Sequence, residues 1–161
     1  MVYIKSNMKC CTKLTDGLYL GNQFSTSIIT DIDVIISIGC KSKSTIPSVV
    51  NYKVSVQDSV DSDLTPLFGD VTEFIHINLS NNKKVLVHCQ GGINRSPIFA
   101  IAYLARYIMT LEEAVLHVST LRSAVRIQPH YLHQLEKWLN DIIICKIRQT
   151  NYNGCISQRV N

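Results

Sequence analysis

The sequence has few charged residues and no long apolar run. Asp, Glu, Lys and Arg make up 17% of its 161 residues, whereas hydrophobic residues make up 46%. No apolar run approaches the length of a membrane-spanning helix, and the first residues lack the apolar centre of a secretory signal peptide. This composition is typical of a globular chain. It predicts a single domain over residues 1–161, with a core over about 13–146 and flexible ends.

Two further absences concern the cysteines and the charge. The six cysteines have neither the spacing of a zinc site nor the density of a disulfide-stabilised scaffold, so we expect no metal and no other cofactor. They favour a reducing, cytoplasmic location, with the nucleus also compatible. The formal charge of +4 suits an anionic substrate. It is too small and too scattered to favour a nucleic acid partner, which nevertheless stays open as an alternative.

One stretch, Val85 to Pro97, has the pattern of a phosphate-binding loop. It reads VLVHCQGGINRSP, which is a short apolar strand and a loop of small and polar residues, followed by helical apolar spacing over 96–109. Cys89 and Arg95 are separated by five residues. A loop that ends at a helix N-terminus points backbone N–H groups and the positive end of the helix dipole at its centre. Such a loop binds phosphate and favours the thiolate form of a cysteine.

The residue types in this loop predict a nucleophile inside an anion-binding cradle. A lone cysteine after an apolar strand is ordinarily a small buried side chain, but this register of glycines, arginine and serine favours catalysis by Cys89. Arg95 offers a planar fork for two phosphate oxygens, and Ser96 brings a hydroxyl near the sulfur. We expect His88 to orient the loop rather than to transfer protons. The predicted substrate-binding residues are His88, Gln90, Gly91, Gly92, Ile93, Asn94 and Arg95, the two glycines allowing the backbone to turn without Cβ clashes.

Strands and helices alternate around this loop, which predicts a three-layer α/β/α domain with a mainly parallel central sheet. The expected strands are Leu18–Leu20, Asp33–Gly39, Tyr52–Val56 and Val85–Val87. The expected helices begin at Asp63 or Thr65, at Ser96, at a Thr110–Glu113 capping box and at Pro129, the last with apolar positions as far as Ile143. We expect residues 1–12 to be loosely held and the chain to fray after Lys146.

The motif HCQGGINRSP resembles the catalytic loop of the dual-specificity protein phosphatases, a branch of the cysteine-based protein tyrosine phosphatase superfamily. The resemblance runs from about Leu14 to Leu139 and includes YLGN at Tyr19–Asn22 and AIAYL after the loop. It implies the fold of that superfamily, phosphorylated proteins as partners and a cysteinyl-phosphate intermediate. The chain shows nothing like the phosphotyrosine-recognition loop of strict tyrosine phosphatases. The resemblance therefore implies a shallow site that admits phosphotyrosine, phosphoserine and phosphothreonine.

The resemblance also implies an aspartic acid that protonates the leaving oxygen and then activates water. Asp58 is the candidate, because it ends a predicted strand and lies ten residues before Phe68, the spacing at which similar enzymes place their acid. Asp61 is expected to be a solvated loop charge and Asp63 a helix cap.

Three alternatives remain open. RNA 5′-phosphatases of the superfamily usually carry Thr-His after the cysteine and Thr-Gly after the arginine, where this chain has Gln90-Gly91 and Ser96-Pro97. Inositol-lipid phosphatases carry lysines inside the loop, and this loop has none. A non-catalytic phosphoprotein-binding module typically lacks the nucleophile or the arginine, and this chain keeps both.

Cys40 is a further candidate, because it follows the predicted strand Asp33–Gly39. The carboxyl ends of parallel strands gather around the active site, so Cys40 is expected near Cys89. Some related phosphatases protect an oxidised nucleophile with a second cysteine. A redox pair with Cys89 and an ordinary cysteine at a strand end are both compatible with the sequence.

Overall fold

The computed structural model describes residues 10–41, 47–57, 59 and 61–157. Within them the chain forms five strands and five helices. The strands are β1 Cys11–Thr15, β2 Leu18–Gly21, β3 Val34–Ile38, β4 Val50–Val54 and β5 Val85–His88. The helices are α1 Ser25–Ile28, α2 Thr65–Ser80, α3 Arg95–Tyr107, α4 Leu111–Leu121 and α5 Pro129–Ser157.

The strands form one sheet in the order β1-β2-β5-β3-β4. The β1–β2 pair is antiparallel, and β5 pairs in parallel with both β2 and β3, while β4 pairs in parallel with β3. Every residue of β3 and β5 is buried, because both strands are covered on two faces. The prediction of a mainly parallel sheet with two-sided central strands is therefore confirmed.

Helices cover the two faces of the sheet unequally. On one face Phe68 of α2 packs against Phe99 of α3 and Trp138 of α5, with ring centroids 5.4 Å and 5.3 Å apart. The other face carries a small apolar cluster that includes Ile35 and Leu86, and the residue after α1 packs against it. The layered α/β fold predicted from the sequence is confirmed, with one thick helical layer and one thin one.

The first strand corrects a prediction. Residues 11 and 12, expected to be loosely held, belong to β1, which pairs with β2 from Cys11 opposite Gly21 onwards. Leu14 is buried in the main core and Thr12 is also buried, so packing against the rest of the chain secures this segment. β4 also begins earlier than predicted, at Val50, because it stays in register with β3 from the first residue of that strand.

The last helix corrects a second prediction. α5 is helical as far as Ser157, past Lys146, and the fraying expected after that residue stays a prediction. Ile143, expected on the buried face, is 55% exposed, so the packed part of α5 is its first half. Neither α5 nor any other helix in the described residues combines the length and apolarity needed to cross a membrane.

The parallel strands end at one edge of the sheet. β2 ends at Gly21, β3 is followed by Gly39 and Cys40, and β5 is followed by Cys89. In parallel sheets the loops beyond this edge form the binding crevice. The topology therefore brings the cysteine of the phosphate-binding motif together with the turn after β3.

Candidate active site

Cys89 lies directly after β5, at the base of the loop that leads into α3, and it is only 3% exposed. Its Sγ accepts hydrogen bonds from the Gly92 N–H and from the Ser96 hydroxyl, both at 3.2 Å. Hydrogen bonds to an ionised acceptor are about twice as strong as those between neutral groups, so both donors can stabilise charge that develops on a departing sulfur. Ser96 therefore stands where the sequence motif predicted a hydroxyl near the sulfur.

The curvature of the loop depends on one of its two glycines. Gly92 has a φ of +65°, and a Cβ there would lie 2.5 Å from the Gly21 carbonyl oxygen and 2.8 Å from the Arg122 guanidinium. A larger residue at this position is excluded by both strain and space. At Gly91, by contrast, φ is not positive and a Cβ would meet only the Ile93 side chain.

Arg95 is the first residue of α3 and is buried. Its guanidinium donates a hydrogen bond of 2.9 Å to the Gly39 carbonyl, in the turn after β3. Gly39 has a φ of +58°, and a Cβ there would collide with this guanidinium and with the Val56 carbonyl. The turn after β3 thus positions the arginine at the helix N-terminus, where the helix dipole also attracts an anion.

The remaining loop residues are anchored to neighbouring segments. The buried Asn94 side chain accepts a hydrogen bond of 3.0 Å from the Gln128 N–H, and the Ile93 carbonyl accepts one of 2.8 Å from the Arg126 N–H. The Gln90 carbonyl accepts a bond from a backbone N–H just after β2. The side chains of Gln90 and Ile93 are exposed, so these two residues form the outer rim of the loop.

His88 is fully buried at the end of β5. Its Nε2 lies 2.8 Å from the Ser37 hydroxyl and its Nδ1 lies 3.6 Å from the Cys40 sulfur, so both ring nitrogens face β3 or the turn after it. Burial lowers the pKa of His88, although a hydrogen bond to the Cys89 backbone offsets part of the effect. An enclosed imidazole whose two ring nitrogens face β3 and the turn after it is consistent with an orienting role and disfavours proton transfer to a substrate.

Cys40 is half-buried beside the catalytic loop. Burial raises the pKa of its thiol, the negative charge of Cys89 raises it further, and the positive charge of Arg95 lowers it. Cys40 therefore lies within electrostatic reach of both residues, as its place after β3 predicted. Both cysteines are free thiols here, and the redox pair stays a prediction.

Asp58 lies outside the described residues, but its two neighbours in the chain are described. The buried Tyr131 of α5 places its hydroxyl 3.5 Å from the Gln57 carbonyl and 3.3 Å from the Ser59 carbonyl, as a donor to both. The helix thus holds the loop on either side of position 58. Tyr131 lies on the apolar face predicted for the helix that begins at Pro129, and its phenolic hydroxyl, which needs a partner when buried, was the signal for this second contact.

The other two acidic residues of this loop are Asp61 and Asp63. The Asp63 carboxylate accepts a hydrogen bond of 2.9 Å from the Thr65 N–H, and the bonds to Thr65 lower its pKa. The N-cap residue of α2 is Leu64, which makes no side-chain capping bond, so neither of the two predicted caps, Asp63 or Thr65, is the N-cap. The Asp63 carboxylate instead satisfies the N–H of the first helical residue, and Asp61 is exposed. Among the described residues, no three His, Cys, Asp or Glu side chains lie close enough together to hold a metal ion.

Arg122, at the end of α4, is a site residue that the sequence analysis missed. It is 4% exposed, and its Nε donates a hydrogen bond of 2.9 Å to the Gly92 carbonyl. Burial lowers its pKa, and the thiols of nearby cysteines, Cys89 among them, act in the opposite direction. The burial of Arg122 could have been predicted from its position, because it follows the buried residues Ala114 and Val118 at intervals of four along α4.

A cysteine and an arginine held by one loop, at the carboxyl edge of a parallel sheet and the start of a helix, are the working parts of a cysteine-dependent phosphatase. The family described as "Dual specificity phosphatase, catalytic domain" matches residues 18–141, which is more than half of the chain. The chain belongs to this family, so the family prediction made from the loop motif is confirmed.

Relatives and solved structures agree with this assignment. A protein of Invertebrate iridescent virus 6, named as a tyrosine phosphatase, is 36% identical over 80% of this chain and 94% of its own. The tyrosine-protein phosphatase vhp-1 of Caenorhabditis elegans is 31% identical over 88% of this chain but only 23% of its own length. The structure of the human tyrosine phosphatase-like serine/threonine/tyrosine-interacting protein superposes with a TM-score of 0.77 at 24% identity, over 83% of this chain and 97% of that one. That structural likeness bears on the fold alone.

Proposed function

We propose that the chain is a dual-specificity protein phosphatase that hydrolyses phosphotyrosine and phosphoserine or phosphothreonine in proteins. The observation that carries the proposal is the Cys89 sulfur with two hydrogen-bond donors, at the base of a loop that ends with Arg95 at the N-terminus of α3. A thiolate is a good nucleophile toward phosphorus. The same loop offers an arginine fork and backbone N–H groups to the phosphoryl oxygens.

The proposed reaction has two steps. The Cys89 thiolate attacks phosphorus in line, so that an S–P bond forms and the ester P–O bond breaks, while Asp58 donates a proton to the departing oxygen. Water then attacks the cysteinyl-phosphate and gives a proton to Asp58, and the S–P bond breaks to release inorganic phosphate. Arg95 neutralises charge on the equatorial oxygens in both steps. Ser96 stabilises the sulfur when it becomes the leaving group.

The proposed substrate class rests on the family and on a sequence that shows nothing like the phosphotyrosine-recognition loop of strict tyrosine phosphatases. Phosphorylated proteins are the proposed partners, and the loop that binds the phosphoryl group also holds inorganic phosphate as product. We place the activity in a reducing compartment such as the cytoplasm, since a thiolate nucleophile loses activity when it is oxidised.

Replacement of the nucleophile tests the proposal. We expect Cys89→Ser to lower kcat toward an aryl phosphate by at least about a thousandfold, the scale seen when a catalytic nucleophile is removed. The variant should still bind the phosphorylated substrate, because Arg95 and the loop N–H groups remain. Steady-state kinetics measures the first effect, and isothermal calorimetry with a non-turned-over phosphopeptide measures the second.

Cys145→Ser is the matched control, since Cys145 is an exposed cysteine on α5. It should keep the kcat of the parent. Turnover by Cys89→Ser at a rate close to that of the parent would contradict the proposed function.

A further inference from the structure

A cavity beside the catalytic loop has no part in the two steps above. It has a volume of about 570 Å³, within the range of small-molecule pockets. Its walls come from the turn after β3 and from the end of β4 with the residues that follow. Gly39 and Cys40 line the side toward the catalytic loop, and Lys41, Lys53 and Val56 line the rest.

Two contacts connect this cavity to the catalytic residues. The Gly39 carbonyl, on the cavity wall, accepts the hydrogen bond from Arg95 at 2.9 Å. The charges of Cys89 and Arg95 both act on the Cys40 thiol, which also lines the cavity. An extended peptide advances roughly 3.5 Å per residue. A substrate whose phosphoryl group occupies the catalytic loop can therefore reach the cavity with a residue one or two positions away.

The charge of the cavity selects the kind of group that fits there. Lys41 and Lys53 are both exposed to solvent, and the described residues that line the cavity include no carboxylate. Val54 and Val56 supply apolar wall, which reduces the local dielectric and strengthens the attraction of an anion to the two ammonium groups. Each side chain is long enough to follow an anionic group that enters the cavity.

We propose that this cavity is a subsite for an anionic group, a carboxylate or a second phosphate, that the substrate carries within one or two residues of its phosphorylated residue. The proposal rests on the proposed function, because the subsite acts only on a substrate held by the catalytic loop. The preferred substrates are then phosphoproteins with acidic or multiply phosphorylated sequences around the target residue.

The experiment compares three phosphotyrosine peptides: one flanked by alanines, one flanked by glutamates and one that carries a second phosphate on a neighbouring serine. The readout is kcat/KM for each anionic peptide divided by kcat/KM for the alanine peptide. The enzymes are the parent, Lys41→Ala, Lys53→Ala and the double variant. Because both values of the ratio come from the same protein sample, a partly unfolded variant does not change it.

We expect the parent to favour the anionic peptides and each single variant to reduce the ratio about twofold to fivefold, the scale of one solvent-exposed ion pair. In the double variant the ratio should fall close to one, because both lysine charges of the cavity are then removed. The preference of the parent should also weaken as ionic strength rises, since salt screens exposed charges. If the variants lower the ratio for only one of the two anionic peptides, the anionic group of that peptide is the ligand of the subsite.

The matched control is Lys83→Ala, which removes the same charge from an exposed residue before β5, at the opposite end of the sheet. An equal fall of the ratio in this control would reduce the effect to general attraction by net charge and overturn the subsite. An unchanged ratio in the double variant would overturn it as well.

Hydrolysis of a small aryl phosphate by the parent separates the two proposals. A parent that does not hydrolyse the aryl phosphate contradicts the proposed function itself. A parent that hydrolyses it but treats the three peptides alike contradicts only the subsite.

Discussion

His88 illustrates how a single side chain acquires a role from its surroundings. A histidine in the loop of a phosphatase motif is compatible with acid–base chemistry by its residue type alone. In the fold it is fully buried and bonded to Ser37, so the imidazole connects β5 to β3 next to Cys89. Its effect on activity is therefore expected through the position of Cys89.

The burial of His88 has a measurable consequence for stability. Burial lowers its pKa from the ordinary value of 6.5, so the unfolded chain binds the proton at a higher pH than the folded protein does. Between the two pKa values the unfolded state holds more protons. The free energy of unfolding is therefore largest above 6.5 and decreases as the pH falls through this window. We expect urea unfolding to show this decrease for the parent and a smaller one for His88→Asn.

The control for this measurement is His133→Asn, which changes an exposed histidine on α5. It should keep the pH dependence of the parent. A His88→Asn variant whose stability changes with pH as steeply as that of the parent would show that His88 is not the residue responsible.

Among the elements, the turn after β3 supports the loop motif, although the two are far apart in the sequence. Gly39 accepts the hydrogen bond of Arg95 and has a positive φ, and a side chain at this position would occupy the space of the guanidinium. The turn therefore fixes the position of the Arg95 side chain.

We expect Gly39→Ala to lower kcat/KM by about a hundredfold or more, because the displaced Arg95 no longer faces the equatorial oxygens. That is the scale seen when one transition-state donor is lost. Steady-state kinetics with an aryl phosphate measures the loss, and thermal unfolding shows whether the variant is folded.

Gly69→Ala is the matched control, since a Cβ at Gly69 in α2 has no heavy atom within 4 Å. It should keep the activity and raise the stability by up to about 1 kcal/mol, because alanine is the better helix former. Full activity in Gly39→Ala would show that the turn does not position Arg95.

At the scale of the whole molecule, the proposed chemistry requires two segments to meet. Cys89 must be ionised and Asp58 protonated in the same enzyme form, so kcat/KM should follow a bell-shaped curve with pH. Replacement of Asp58 with Asn should flatten the alkaline limb. It should also slow turnover of phosphotyrosine more than turnover of an activated aryl phosphate, whose leaving group needs less protonation.

Asp61→Asn and Asp63→Asn are the controls, and both should keep the bell. Asp63→Asn should lower the free energy of unfolding by about 1 kcal/mol or less, since the asparagine amide oxygen can accept the same hydrogen bond from the Thr65 N–H. An alkaline limb that persists in Asp58→Asn and disappears in Asp61→Asn would assign the acid to Asp61.

Much of the molecule was predictable from the sequence, because its signals are local. Cys89, Arg95 and Ser96 lie within one strand, loop and helix start, so their spacing in the sequence already places them in one loop. The Thr110–Glu113 capping box is present as predicted, with both of its hydrogen bonds formed. The buried strands β3 and β5 were also predictable, since continuous β-branched and apolar residues favour two-sided burial.

Only the tertiary structure decided which distant residues support that motif. Arg122 reaches the Gly92 carbonyl because α4 packs beside α3, and Tyr131 reaches the carbonyls on either side of position 58 because α5 packs against α2. Such contacts depend on how helices dock on the sheet, which periodicity does not encode. The sequence by itself determined the family and the chemical parts of the site. The docking of α4, α5 and the turn after β3 decided how those parts are held, because hydrogen bonds between remote segments form only after the core has packed.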